Sequence, residues 1–229
     1  MISHTKKLLF IHVPKTGGKS LSRFLQPYCD SDSLEYFSPF SERKEGNLHA
    51  TLYEYIRAYG PSIMEKYSIF TIVRNPWDKA LSLHLHQNNN VFNKEHFRAV
   101  IRDPMSLNLW SHSHFYFYAK EVLSVDDESG VYQVHERYPP VVTLGDHIYY
   151  KEMLHFPIML RFENYAQEVG DFLDFHGIKH DKKLLQKKTN TTSHKHYSHY
   201  YGQEEIEEIK DWCGLDIQMM GYRFEKEKT

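Results

Sequence analysis

"KLLFIHVPKTGGKSLSRFLQPY" (residues 7–28) is the stretch whose reading decides the fold. Its opening, 7–13, is a short apolar run bounded by Pro14, the pattern of a buried strand. "KSLSRFLQPY" (19–28) reads as a helix that Pro27 helps to end. Between the two lies a turn, "PKTGG" (14–18), in which Gly17 and Gly18 allow close backbone approach and unusual torsions. A strand, a glycine-containing turn and a helix together aim backbone N–H groups at an anion. The turn runs into Gly18-Lys19-Ser20, the ending of a triphosphate-binding loop, but the first glycine of that pattern would fall at position 13, which is Val13. A further lysine, Lys15, already stands inside the turn.

Working outward, the arrangement recurs. "YSIFTIV" (67–73) reads as a second buried strand, and "RNPWDKALSLHLH" (74–86) as a helix started by Asn75-Pro76, with proline at the first helical position. Arg74 therefore sits at the mouth of a second strand-to-helix junction. "FPIMLRF" (156–162) gives a third strand and "ENYAQEVGDFLDFHG" (163–177) a third helix. "HATLYEYIRAYG" (49–60) is helical up to Gly60-Pro61, residues 28–47 and the Gln87–Asn90 cluster are loops, "FRAVI" and "SHFYFYAKEVL" are helical, and "VYQV" is a strand. Alternating strands and helices predict an α/β fold, P-loop-like and three-layered, with a mainly parallel central sheet flanked by helices. Ligands of such sheets lie at the carboxyl ends of the strands, where the 14–20 and 74–76 turns both fall.

The chain has 229 residues, 41% of them hydrophobic and 25% charged, which suits a single domain (1–229) with an inserted region at about 85–157. A formal charge of −2 shows no basic excess and points away from nucleic acid, while leaving room for a local basic cleft. Two cysteines, Cys29 and Cys213, fit reduced thiols and a cytoplasmic location. "LLFIHV" is too short to span a bilayer, so no membrane insertion is expected.

Read together, "IHVPKTGGKSL" and "FTIVRNPWDKALSLHLH" resemble the two donor-binding signatures of the sulfotransferases, in particular the family that modifies carbohydrates (sulfotransferase family 2-like). The first signature reads approximately Pro-Lys-Thr-Gly-Gly-Thr-Ser, matched here by Pro14, Lys15, Thr16, Gly17, Gly18 and Ser20, with Lys19 in place of the usual Thr. The second reads approximately Arg-Asn-Pro-Trp-Asp-Arg followed by a Ser, matched by Arg74, Asn75, Pro76, Trp77, Asp78 and Ser82. "LRFENY" (160–165), "NTTSHKHYSHYY" (190–201) and "DIQMMGYRF" (216–224) follow in the family's order, whereas about 85–157 matches nothing in it.

The resemblance implies a 3′-phosphoadenosine 5′-phosphosulfate (PAPS) donor, released as 3′-phosphoadenosine 5′-phosphate, and a carbohydrate or other hydroxyl-bearing acceptor. It places the 5′-phosphosulfate on residues 15–21, that is Lys15, Thr16, Gly17, Gly18, Lys19, Ser20 and Leu21. Arg74 and Ser82 take the 3′-phosphate, Arg74 through bidentate hydrogen bonds. Thr192, Ser193 and Lys195 close over the donor from the C-terminal segment, with Asn190 and Thr192 aligning to the family's Asn-x-Ser. Lys15 neutralises the leaving oxygen in an in-line transfer that requires no metal. His49 is the general base, neutral near pH 7, with Glu54 and Glu35 as fallbacks. His12, inside the first strand, is structural. The histidine pairs at 84/86, 112/114 and 194/196 lack a partner set at zinc-site spacing, so no metal site is expected. Two other readings stay open: a P-loop kinase using ATP, suggested by Gly18-Lys19-Ser20, and a non-catalytic nucleotide-binding protein.

Overall fold

A computed structural model describes residues 1–29, 52, 55, 59–60, 62–102, 124–125, 132–133, 158–186 and 194–227. The chain starts with β1 (Ile2–Ser3) and β2 (Leu8–Ile11), then α1 (Gly18–Leu25) and a short 3-10 turn at Gln26–Tyr28 that contains Pro27. Leu52 and Tyr55 are helical and buried. After α2 (Ile63–Lys66) come β3 (Ser68–Val73), α3 (Pro76–Gln87) and α4 (Lys94–Arg102). The two-residue strands β4 (Ser124–Val125) and β5 (Tyr132–Gln133) pair with each other, so "VYQV" holds a strand. β6 (Ile158–Arg161), α5 (Tyr165–Phe175), α6 (Lys182–Gln186) and α7 (Gln203–Met220) complete the order, with a 3-10 turn at Tyr197–Tyr200 before α7.

The main sheet runs β1-β2-β3-β6. β2 and β3 pair in parallel from Leu8↔Ser68 to Ile11↔Thr71, and β3 and β6 from Phe70↔Ile158 to Val73↔Arg161. The sheet is nevertheless mixed, because β1 pairs antiparallel to β2. Two residues are too few to carry a periodicity, which is why the sequence does not announce β1. All four residues of β2 are buried, as its unbroken apolar run requires of a central parallel strand. One apolar core joins the sheet to α1, α2 and α5 through Leu21, Ile63 and Phe172. A second holds Val73 with α3, α4 and α7 through Trp77, Phe97 and Ile209.

α7, with 18 residues, is the largest element the sequence reading does not predict. Its buried side chains include Glu205, Ile209, Cys213, Asp216 and Met220, a helical spacing on which two carboxylates replace apolar residues. Glu205 accepts the Gly202 N–H (2.7 Å) and pairs with Arg98, and Asp216 attracts the fully buried Lys79 of α3. A stripe whose polar members are satisfied by partners on other elements is invisible to hydrophobic periodicity. Asn88–Asn90 form the expected turn after α3, with Asn89 and Asn90 at φ 51° and 65°. The fully buried His84 supports it by accepting the Asn93 N–H at Nε2 (3.2 Å).

Candidate active site

Parallel pairing places the carboxyl ends of β2, β3 and β6 on one edge, and three connections leave from it: 12–17, 74–75 and 162–164. The first is the glycine turn. Thr16 is buried and its hydroxyl donates to the Val13 carbonyl (2.9 Å), closing the bend. Lys15 has φ 62° and Gly17 φ 84°, both in the left-handed region. For Lys15 that torsion costs roughly 1–2 kcal/mol, so the loop must be held from outside. Gly18 opens α1 and lies against the His12 ring, which stacks on Phe10 (5.5 Å between centroids). The Ser20 N–H turns back to the Gly17 carbonyl (3.0 Å), and Leu21 is fully buried. Gly18 and Lys19 lead α1, where helix N–H groups find no acceptor inside the helix.

The second connection fixes the first. Asn75 caps α3, its side-chain oxygen accepting from Trp77 N (3.1 Å) and Asp78 N (3.4 Å), with Pro76 at the first helical position as predicted. Arg74 is buried; its Nε binds Asp78 (2.7 Å) and its Nη1 donates to the Lys15 carbonyl (2.8 Å). The guanidinium also lies 4.3 Å above the Phe162 ring. Arg74 thus clamps the strained Lys15 peptide to the second turn. Ser82 is buried on α3, one turn beyond Asp78.

The third connection supplies two residues that sequence reasoning did not single out. Phe162 packs against Gly17, where an added Cβ would meet its ring at 3.2 Å, and Glu163 accepts the Asn75 N–H (2.7 Å) and the Tyr222 hydroxyl (3.1 Å). Both lie inside "LRFENY", so the signal was present as a motif without a role.

Electrostatically the edge is cationic. Burial, then Arg74, then Lys19 lower the Lys15 ammonium to a pKa of about 8. His86, exposed on α3, is held below the ordinary histidine range first by Lys15, then by burial, then by Lys19. Lys15, Thr16, Gly17, Gly18, Lys19, Ser20 and Arg74 are thus gathered at one place, with Lys19 exposed. Lys195 is exposed beside the 3-10 turn before α7, and its N–H donates to Tyr200 (3.3 Å). His49, Glu54, Glu35, Asn190, Thr192 and Ser193 lie outside the described residues. Among the described residues no three His, Cys, Asp or Glu side chains gather as a metal site, and no helix is long and apolar enough to cross a membrane.

An α/β protein with a helix-led glycine turn bearing Lys15 and Lys19 at the carboxyl edge of its parallel strands is the class these features define. The model of the Sulfotransferase family matches residues 1–223, and the chain belongs to that family. No curated protein and no solved structure matches it.

Proposed function

We propose that this protein is a PAPS-dependent sulfotransferase acting on a hydroxyl (or amine) of a carbohydrate-type acceptor, with the glycine turn serving as a P-loop-like cradle. The observation that carries the reading is the convergence of Lys15, Lys19 and Arg74 on one helix-led turn. Arg74 and Lys19 both depress the proton affinity of Lys15, so an anion placed among them relieves their repulsion. The residues therefore fit a donor of several negative charges. Gly18 and Lys19 N–H groups with the Lys15 ammonium would hold its 5′ end, and Arg74 with Ser82 its 3′-phosphate. A bidentate grip by Arg74 involves exchanging its Asp78 or Lys15 contact for the phosphate. The bound donor supplies an activated sulfonyl group.

Lys15 holds positive charge where the leaving oxygen develops its own, a preorganised role. His49 takes the acceptor proton. The acceptor surface belongs to the region at about 85–157, and its carbohydrate character rests on the resemblance of the two signatures. An ATP-dependent kinase is the rival enzyme reading, opposed by Val13 and by the Arg74–Trp77 motif.

Calorimetric titration with 3′-phosphoadenosine 5′-phosphate against ATP·Mg separates them. We expect the bisphosphate to bind and Lys15→Ala to lower kcat by about 10²–10³-fold or more. His49→Ala should lose turnover and keep donor binding. Since the free enzyme loses the Lys15 proton as pH rises through about 8, kcat/KM for the donor should fall there. Binding of ATP·Mg with none of the bisphosphate overturns the reading.

A further inference from the structure

Arg74, Asp78 and Ser82 follow one another at four-residue spacing across the start of α3, so Asp78 lies between the two side chains assigned to the 3′-phosphate. In the free protein Arg74 Nε is bonded to Asp78 Oδ2 at 2.7 Å, the two side chains being 9% and 20% exposed. Arg74 Nη1 donates to the Lys15 carbonyl at 2.8 Å, and the guanidinium lies 4.3 Å from the centre of the Phe162 ring. The arginine is thus engaged on several sides before any anion arrives. Its two polar contacts are not equally replaceable. The carbonyl belongs to Lys15, which holds φ 62°, and Arg74 ties that strained turn down. The Asp78 carboxylate reaches solvent and stands in the first turn of α3, where the helix N–H groups favour a negative charge without the arginine's help. Asp78 is therefore the contact that yields.

We propose that Asp78 sets how tightly the 3′-phosphate of the nucleotide is held: its carboxylate binds Arg74 Nε in the free protein, gives it up as the nucleotide binds, and by its charge hastens nucleotide release. The proposal rests on the PAPS reading, with Arg74 and Ser82 as the 3′-phosphate ligands. A phosphate shared by Arg74 and Ser82 meets a stripe whose middle member is a carboxylate, and like charges side by side repel. Donor and product feel that repulsion equally, because sulfonyl transfer changes the 5′ end and leaves the 3′-phosphate as it was. Uniform weakening of this kind raises KM and leaves the chemical step alone. In the free protein the same carboxylate keeps the guanidinium oriented through a charge-assisted hydrogen bond.

The test is titration calorimetry and stopped-flow displacement on the full chain. The probes are 3′-phosphoadenosine 5′-phosphate and adenosine 5′-phosphate, which lacks the 3′ group. Asp78→Asn keeps the shape and removes the charge. It should bind the bisphosphate about tenfold more tightly, as relief of one like-charge contact predicts, and chiefly through slower dissociation. Its affinity for adenosine 5′-phosphate should match wild type. Asp78→Ser, which removes the carboxylate outright, carries the same expectation and serves if the asparagine variant does not fold. A change that merely loosens the turn would weaken both nucleotides, so the sign of the effect separates the two roles. Bisphosphate binding that is unchanged or weaker in the variant, or tightened equally for both nucleotides, overturns the role of Asp78 alone. Wild-type protein that fails to bind the bisphosphate, or binds it no better than adenosine 5′-phosphate, overturns the 3′-phosphate assignment and this proposal together.

Discussion

Gly18 is the residue on which the turn closes. A Cβ built there would sit 2.1 Å from His12 Cδ2 and 2.3 Å from His12 Nε2, closer than any real side chain approaches. The histidine just past the end of β2 and the glycine at the helix start are one packing unit, with the ring occupying the volume a side chain at 18 would need. Gly18→Ala should destabilise the fold by about 1–3 kcal/mol, the usual cost of overpacking. Removing the ring should relieve it: in a double-mutant cycle monitored by denaturant unfolding, Gly18→Ala with His12→Ala should be less destabilised than the sum of the two single changes. Strict additivity would show that the ring and the glycine do not share that space. Lys19, by contrast, is exposed beside it.

At the scale of elements, α3 and α7 are joined through a buried charge. Lys79 and Asp216 are both fully buried, and desolvation lowers Lys79 to a pKa of about 8 against the opposing pull of Asp216. Asp216→Asn leaves Lys79 without that carboxylate and should cost about 3–5 kcal/mol at neutral pH, as breaking a buried pair does. Because the folded-state pKa is depressed, the burden of the charged ammonium falls as pH rises through about 8 toward the ordinary lysine value. The destabilisation should therefore shrink in alkaline solution, and thermal unfolding at neutral pH and near pH 10 reads the difference. An equal loss at both would mean that Asp216 acts by packing alone. This pair also marks the limit of what the sequence conveys. β2, β3 and β6 and the helices α1, α3 and α5 were legible because their buried faces are apolar and their ends carry proline, asparagine or glycine. α7 was not, because Glu205 and Asp216 occupy its buried stripe and find their partners more than a hundred residues away. The motifs of the glycine turn and of the Arg74–Asp78 turn were legible for a different reason, being contiguous. The roles of Phe162 and Glu163 depend on three connections meeting at one edge, which no local pattern encodes.

The whole molecule converges on the Asn75 turn from both ends of the sequence. Glu163, leaving β6, accepts the Asn75 N–H and the Tyr222 hydroxyl; the Asn75 amide donates to the Arg223 carbonyl (3.2 Å), and the Glu225 N–H donates to Tyr197 (2.8 Å). The segment after α7 thereby straps the turn that positions Arg74, and through Arg74 the Lys15 peptide. Tyr222→Phe removes one hydrogen bond to a carboxylate and should cost about 1–2 kcal/mol. Glu163→Ala removes the acceptor of the Asn75 N–H as well and should cost more. Because the strap acts on Arg74, Glu163→Ala should also weaken 3′-phosphoadenosine 5′-phosphate and speed hydrogen exchange at the Asn75 amide, while leaving exchange in β2 at its wild-type rate. Faster exchange throughout β2 would instead mean that Glu163 supports the sheet as a whole. Unchanged nucleotide affinity, with Asn75 exchange accelerated, would show that the strap stabilises the turn without governing the site.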